Sequence, residues 1–99
     1  MGDAGSAYQR FQRALATGNL QLIRAAAAEL PRVDLGDALA VCMAIRAAEP
    51  QRFERAARWL ARYAVEKATS VADVRTASEA FATMLQRPDD ALGTLRRLI

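Results

Sequence analysis

The stretch Leu35–Ala48 limits the possible folds most, because it has helical composition and is apolar on nearly every side. One side carries larger apolar residues, namely Leu35, Leu39, Cys42 and Met43, which Val41 and Ile45 extend. The remainder forms a ridge of small residues, namely Gly36, Ala40, Ala44 and Ala47. A helix that is apolar all round is normally buried, and small residues let a neighbouring helix approach closely. The sequence therefore predicts a central helix that its neighbours enclose on all sides and around which the other segments assemble.

Helix caps and stop signals divide the rest of the chain. Four residues suit N-cap positions: Ser6, Asn19, Asp34 and Ser70. Two prolines, Pro50 and Pro88, suit the first turn of a fourth and a sixth helix. Gly18 and Pro31 suit the ends of the first and second helices. No segment shows the alternation of a β-strand bounded by turn residues. The prediction is an all-α fold of about six helices.

The length of 99 residues fits one helical domain over residues 1–99, with residues 1–5 as a flexible N-terminus. The predicted connections are short, so sequential helices should form three antiparallel pairs. The spacing of the turns is near the ~34-residue period of two-helix repeats. A compact bundle and a short helical-repeat-like array both fit this pattern. The opening Met-Gly-Asp-Ala-Gly-Ser matches the N-myristoylation pattern at Gly2, but one acyl chain without a polybasic patch anchors poorly.

The composition gives no support for catalysis. Histidine is absent, which removes the commonest metal ligand and general base. No nucleophile with a base, carboxylate pair or glycine-rich phosphate loop is visible. We therefore expect a non-enzymatic protein with no catalytic, cofactor-binding or metal-binding residues and no small-molecule substrate. No apolar run approaches the ~20 residues of a membrane span and no leader is visible, so the expected location is cytoplasmic, away from membranes.

Two residues of the predicted central helix need separate interpretation. Cys42 is the one cysteine of the chain, so no disulfide forms within it. Its position in the apolar stripe predicts a buried, unreactive thiol with a raised pKa. Arg46 lies on the apolar side near the end of the helix. Its head either reaches solvent along its stem or pairs with a buried carboxylate from another helix.

The fourth segment carries the most suggestive surface feature. On a helical wheel four arginines fall within roughly a third of the circumference: Arg52, Arg55, Arg58 and Arg62. Trp59 lies inside this arc and Tyr63 just beyond it. The residues predicted to face inward are Phe53, Ala56, Ala57, Leu60 and Ala64. The six residues of the arc and its edge, including Trp59 and Tyr63, are the candidate partner-binding residues.

Three interpretations of this arc remain open. Arginine, tryptophan and tyrosine dominate the binding energy of protein interfaces, which favours a protein partner or self-association. The same residues also grip phosphates and stack on bases, and the net charge of +3 has the right sign for nucleic acid. The third interpretation is a solvated face whose arginines pair with Glu54 and Glu66. The main prediction is a helical interaction module with an exposed Trp59; the alternative is nucleic-acid binding through the arginines.

Three stretches also support a resemblance. They are Phe11-Gln12-Arg13-Ala14-Leu15-Ala16-Thr17-Gly18-Asn19-Leu20, Asp37-Ala38-Leu39-Ala40 and Arg55-Ala56-Ala57-Arg58-Trp59-Leu60-Ala61-Arg62-Tyr63. Together they resemble a group of short, alanine- and arginine-rich helical proteins of high-GC Gram-positive bacteria, over most of residues 8–98. That group has no established activity, so the resemblance implies a bacterial cytoplasmic origin and lends no functional residue.

Overall fold

The computed structural model describes residues 4–99, and every regular element in that range is an α-helix. The helices are α1 (Ala4–Thr17), α2 (Leu20–Ala28), α3 (Leu35–Ala48), α4 (Glu54–Glu66), α5 (Val71–Thr83) and α6 (Pro88–Leu98). The predicted all-α fold of about six helices is confirmed. Gly2, where the sequence matches the N-myristoylation pattern, lies outside the described residues. Helix α1 begins at Ala4, within the segment predicted to be flexible.

Three of the four predicted N-caps are confirmed. The side chains of Asn19, Asp34 and Ser70 each accept hydrogen bonds from backbone amides in the first turn of their helices. These bonds satisfy amide groups that have no partner inside the helix. Gly18 ends α1 with φ at 69°, in the left-handed region that favours glycine. The local chemistry of these residues therefore sets the boundaries of α2, α3 and α5.

Two predicted helix starts are wrong. Ser6 lies inside α1, where its hydroxyl accepts a 3.5 Å hydrogen bond from Arg10. Pro50 does not open α4, which begins at Glu54 instead. Proline permits a first helical turn without enforcing one, and here the amide of Arg52 donates to the carbonyl of Glu49 across a turn. Arg52 therefore precedes α4 and does not lie on its surface.

The helices pack as the three sequential pairs that were predicted, α1 with α2, α3 with α4 and α5 with α6. Helix α3 also contacts α1 and α2, and α4 contacts α5, so these contacts connect one pair to the next. The resulting bundle measures 44 × 27 × 20 Å. Among residues 4–99, no helix combines the length and apolar character needed to cross a bilayer.

The buried residues form two clusters. The larger one joins α3, α4, α5 and α6 and contains Trp59, Tyr63 and Phe81. The smaller one lies between α1 and α2 around Phe11 and Ile23. The small cluster also packs against Val41 and Ala44, two half-buried residues of α3. Helix α3 is therefore central, because it contributes to both clusters.

The prediction that α3 is enclosed on all sides is wrong. Leu35, Leu39 and Ile45 are buried, but the ridge of small residues is only partly covered. Ala40 and Ala44 are half-buried and line an open cavity of about 620 Å³ between α1, α3 and α6. The expected close neighbour is missing because α1 packs mainly on α2, and α6 packs mainly on α5.

Arg46 follows neither of its two predicted arrangements. The residue is 8% exposed, so its head does not reach solvent. Its hydrogen-bond partner is the carbonyl oxygen of Phe81, at 3.5 Å, and its Nε atom is buried without a partner. Among residues 4–99 no carboxylate pairs with it. The guanidinium lies near the last turn of α5, where the negative end of the helix dipole favours a cation.

Candidate functional site

Helix α4 directs an aromatic stripe into the large cluster. Trp59 is 2% exposed, and its indole stacks on Tyr63 with ring centroids 5.4 Å apart. Phe81 of α5 meets the same indole edge-on at 5.7 Å. The Nε1 atom donates a 2.9 Å hydrogen bond to the carbonyl oxygen of Leu35, at the start of α3. The predicted exposed tryptophan is wrong, because the fold supplies both aromatic contacts and an acceptor for its N–H group.

The predicted inward face of α4 is wrong at three of its five residues. Of the five residues assigned to it, Ala56 is buried and Leu60 is half-buried. Ala57 and Ala64 are exposed, and Phe53, which precedes the helix, is 71% exposed. Burying Trp59 and Tyr63 removes more apolar area from water than burying alanines would, so the helix turns that stripe inward.

The four predicted arginines divide into two kinds. Arg52 pairs with Glu54 at 2.6 Å and with Glu49 at 3.2 Å, and these two contacts hold the pKa of the Arg52 guanidinium above its ordinary value. Arg62 pairs with Glu66 at 2.8 Å. The predicted pairing of arginines with Glu54 and Glu66 is therefore confirmed for these two arginines.

Arg55 and Arg58 have no such partner. Within residues 4–99 neither of them forms a salt bridge. The Nε atom of Arg55 is buried and has no hydrogen-bond partner. The nearest acidic residue in sequence, Glu54, is already held by Arg52. Hydrogen bonds that Glu54 accepts from its own backbone and from Arg52 lower its pKa, and the charge of Arg58 helps to lower it, but Arg58 forms no ion pair with it. Arg55 and Arg58 are therefore the cations of the predicted arc without a salt bridge among residues 4–99.

The two free arginines border an apolar groove. Arg55, Arg58 and Arg62 lie on its α4 side, and the cavity has a volume of about 300 Å³. Its apolar lining comes from α2, the α2–α3 connection, α3 and α4, through Ala27, Val33, Ala38, Val41, Cys42 and Trp59. We call this feature, with these nine lining residues, the arginine groove. Among the described residues, no carboxylate lines it.

The thiol in the groove has little nucleophilic character. Burial raises the pKa of Cys42 to about 11, against the opposing influence of the Arg46 and Arg55 guanidinium groups. The thiol is therefore protonated at neutral pH and contributes apolar surface, as the sequence predicted. Within residues 4–99 no group of three or more acidic or cysteine side chains could hold a metal ion.

The structure brings together four of the six predicted site residues. Arg55, Arg58, Trp59 and Arg62 line the arginine groove, whereas Arg52 and Tyr63 do not. The groove residues of α2 and α3, such as Ala38 and Val41, were missed as site residues. From the sequence alone, apolar side chains on a helix are expected to be buried. Ala38 and Val41 line a cavity because of the way α2, α3 and α4 are arranged around it.

Comparisons with known proteins add no further assignment. No protein-family model matches this chain, and neither the curated proteins nor the solved structures include a match. The resemblance to short bacterial helical proteins stays a prediction.

Proposed function

We propose that this protein is a non-enzymatic helical interaction module that binds a protein partner, or a second copy of itself, in the arginine groove. One observation carries the proposal: an apolar cavity is bordered by two arginines that have no salt-bridge partner within residues 4–99. Protein interfaces are enriched in arginine around a desolvated apolar centre. We further propose a cytoplasmic location, which fits the reduced, buried Cys42.

The alternative, nucleic-acid binding through the arginine face, has less support. Binding of single strands relies on aromatic side chains that stack on bases, and Trp59 and Tyr63 are buried. Arg52 and Arg62 are already paired with carboxylates. The arc therefore lacks both the stacking surface and the continuous row of free cations that a phosphate backbone requires.

A displayed library of random helical peptides tests whether the arginine groove binds protein. The wild-type protein is compared with Ala38→Trp, which fills the groove, and with Ala57→Trp, which adds the same side chain at an exposed position of α4. We expect peptides that are enriched on the wild type and on Ala57→Trp and are lost on Ala38→Trp. Circular dichroism verifies that both variants remain folded.

Light scattering supplies the test for self-association. A concentration-dependent dimer that Ala38→Trp abolishes would identify a second copy as the partner. Absence of both a dimer and an enriched peptide would overturn the proposal, as would equal enrichment on the groove-filled variant.

A labelled oligonucleotide tests the alternative directly. We expect no binding at about 50 mM salt, because too few free cations line the face. Binding that weakens steeply by about 200 mM salt and requires Arg55 and Arg58 would replace the protein-binding proposal with the nucleic-acid one.

A further inference from the structure

We infer that the occupant of the arginine groove is an acidic amphipathic helix, with an apolar side chain in the cavity and two carboxylates, one helical turn apart, on Arg55 and Arg58. This inference rests on the proposed function and names the chemistry of its partner. It follows from the size of the cavity, the spacing of the free arginines and the unsatisfied donor on Arg55.

The size and lining of the cavity define what enters it. A volume of about 300 Å³ lies at the lower end of the range for ligand pockets. It holds a few apolar side chains and is too small for a folded segment. The partner backbone must therefore lie across the opening while its apolar side chains point inward, as in helix-in-groove recognition.

The spacing of the free arginines matches a helical partner. Arg55 and Arg58 are three residues apart on α4, so they are separated by about 4.5 Å along its axis. Acidic residues three or four positions apart on a partner helix lie on one face, about one turn apart. Such a pair reaches both guanidinium groups from a single helix. Arg62 is held by Glu66 and is not needed.

Arg55 favours a carboxylate as the group that contacts it on the partner. Its Nε–H group is buried without an acceptor, and no carboxylate among residues 4–99 lines the cavity. A carboxylate binds an arginine through two parallel hydrogen bonds, which commonly include the Nε–H group. A partner carboxylate that reaches Arg55, with a small rotation of the guanidinium, would therefore satisfy a donor that the free protein leaves unpaired.

The enriched peptides from the displayed library provide the test. We expect them to carry aspartate or glutamate at positions i and i+3 or i+4, beside a large apolar residue. Synthetic versions of one enriched peptide, with the two acids kept or replaced by glutamine or lysine, are then titrated by fluorescence anisotropy. We expect the acidic peptide to bind about tenfold more tightly than the glutamine version, and the lysine version to bind most weakly.

Variants of the protein assign the effect to the two arginines. Arg55→Gln combined with Arg58→Gln should remove the tenfold preference, whereas Arg24→Gln combined with Arg75→Gln removes the same charge from exposed positions outside the groove and should retain it. If the first double variant does not fold, Arg58→Gln alone, at an exposed position, should reduce the preference.

The outcomes separate this inference from the proposed function. Enriched peptides without an acidic preference, or a preference that survives the arginine substitutions, would overturn the acidic helix and leave protein binding intact. Absence of enrichment would overturn the acidic helix, and absence of a dimer as well would also overturn the proposed function. Arginine-dependent binding of dodecanoate, with neither an enriched peptide nor a dimer, would assign the groove to a small anionic amphiphile and would overturn both.

Discussion

The α1–α2 pair and the four helices that follow it are stabilised by cores of very different size. In residues 4–99 the cluster joining α3 to α6 contains twelve buried residues, including Trp59 in contact with two further aromatic rings. The α1–α2 cluster contains four, of which Phe11 and Ile23 are the large ones. The first region therefore depends on the second, because Val41 and Ala44 of α3 complete its small core.

This difference predicts a graded stability. Regions with few buried apolar contacts open locally at lower free energy than the global core. We expect α1 and α2 to open without the other helices, whereas α3–α6 unfold together. Three sets of substitutions test this difference, in order of decreasing expected effect.

Trp59→Ala should destabilise the protein most. Removal of a buried aromatic side chain costs about 3–5 kcal/mol of unfolding free energy, a large part of the stability of a small domain. Urea unfolding followed by circular dichroism measures the loss. Phe53→Ala removes an aromatic side chain that is 71% exposed and should change the unfolding free energy by at most about 0.5 kcal/mol. Equal losses of unfolding free energy in the two variants would contradict the central position of Trp59 in the larger core.

Ile23→Ala and Leu95→Ala compare the two regions directly, because each removes a fully buried aliphatic side chain. Such substitutions cost about 2–5 kcal/mol. For Ile23→Ala we expect faster amide hydrogen exchange confined to α1 and α2. For Leu95→Ala we expect faster exchange in α3–α6 as well. Uniformly faster exchange in both variants would show one cooperative unit and would contradict the graded stability.

The two N-caps Asn19 and Ser70 give a smaller, matched test. Replacing either by alanine should cost about 1 kcal/mol, because backbone amides lose their acceptor. Asn19→Ala should increase exchange in α2 and its partner α1, whereas Ser70→Ala should lower the global unfolding free energy. If Asn19→Ala instead lowers the global unfolding free energy by the same amount, the two regions unfold together.

The pH dependence of stability should have opposite signs at two carboxylates. Hydrogen bonds from the Thr69 hydroxyl and amide lower the pKa of Asp73, so its contribution is present above the unfolded value of about 3.9 and is lost as pH falls. Burial raises the pKa of Asp37, and Asp34 raises it further, although the hydrogen bond from Tyr8 opposes this. The contribution of Asp37 is therefore present at low pH and is lost as pH rises through its raised pKa.

Urea midpoints between about pH 3 and pH 7 measure both contributions. Relative to the wild type, Asp73→Asn should lose least at acidic pH, and Asp37→Asn should become more stable as pH rises. Parallel pH profiles for the wild type and both variants would contradict these assignments.

Helix content could be predicted from the sequence because caps act locally. Asn19, Asp34 and Ser70 bond to amides two or three positions away, so no knowledge of the fold is needed. The start of α4 was predicted wrongly from Pro50, because proline is compatible with both a turn and a helix start. The turn that forms instead is accompanied by the ion pairs of Arg52 with Glu49 and Glu54.

The buried face of α4 could not be predicted, because the helix has two plausible apolar stripes. One contains Phe53, Leu60 and alanines, and the other contains Trp59 and Tyr63. The choice depends on distant partners, namely the ring of Phe81 and the carbonyl of Leu35. The arginine groove is still less predictable, since it exists only where α2, α3 and α4 leave space between them.

The arginine groove lies between the two cores, so that binding of a partner there would change the stability of the protein. Ala27 on one wall belongs to the periphery of the small core, while Trp59 on the other belongs to the large one. A bound partner would contact residues of both cores at once and would hold them together. At a free concentration one hundred times its dissociation constant, it would add about 2.7 kcal/mol of stability. Most of this added stability would apply to the α1–α2 pair, which has the smaller core.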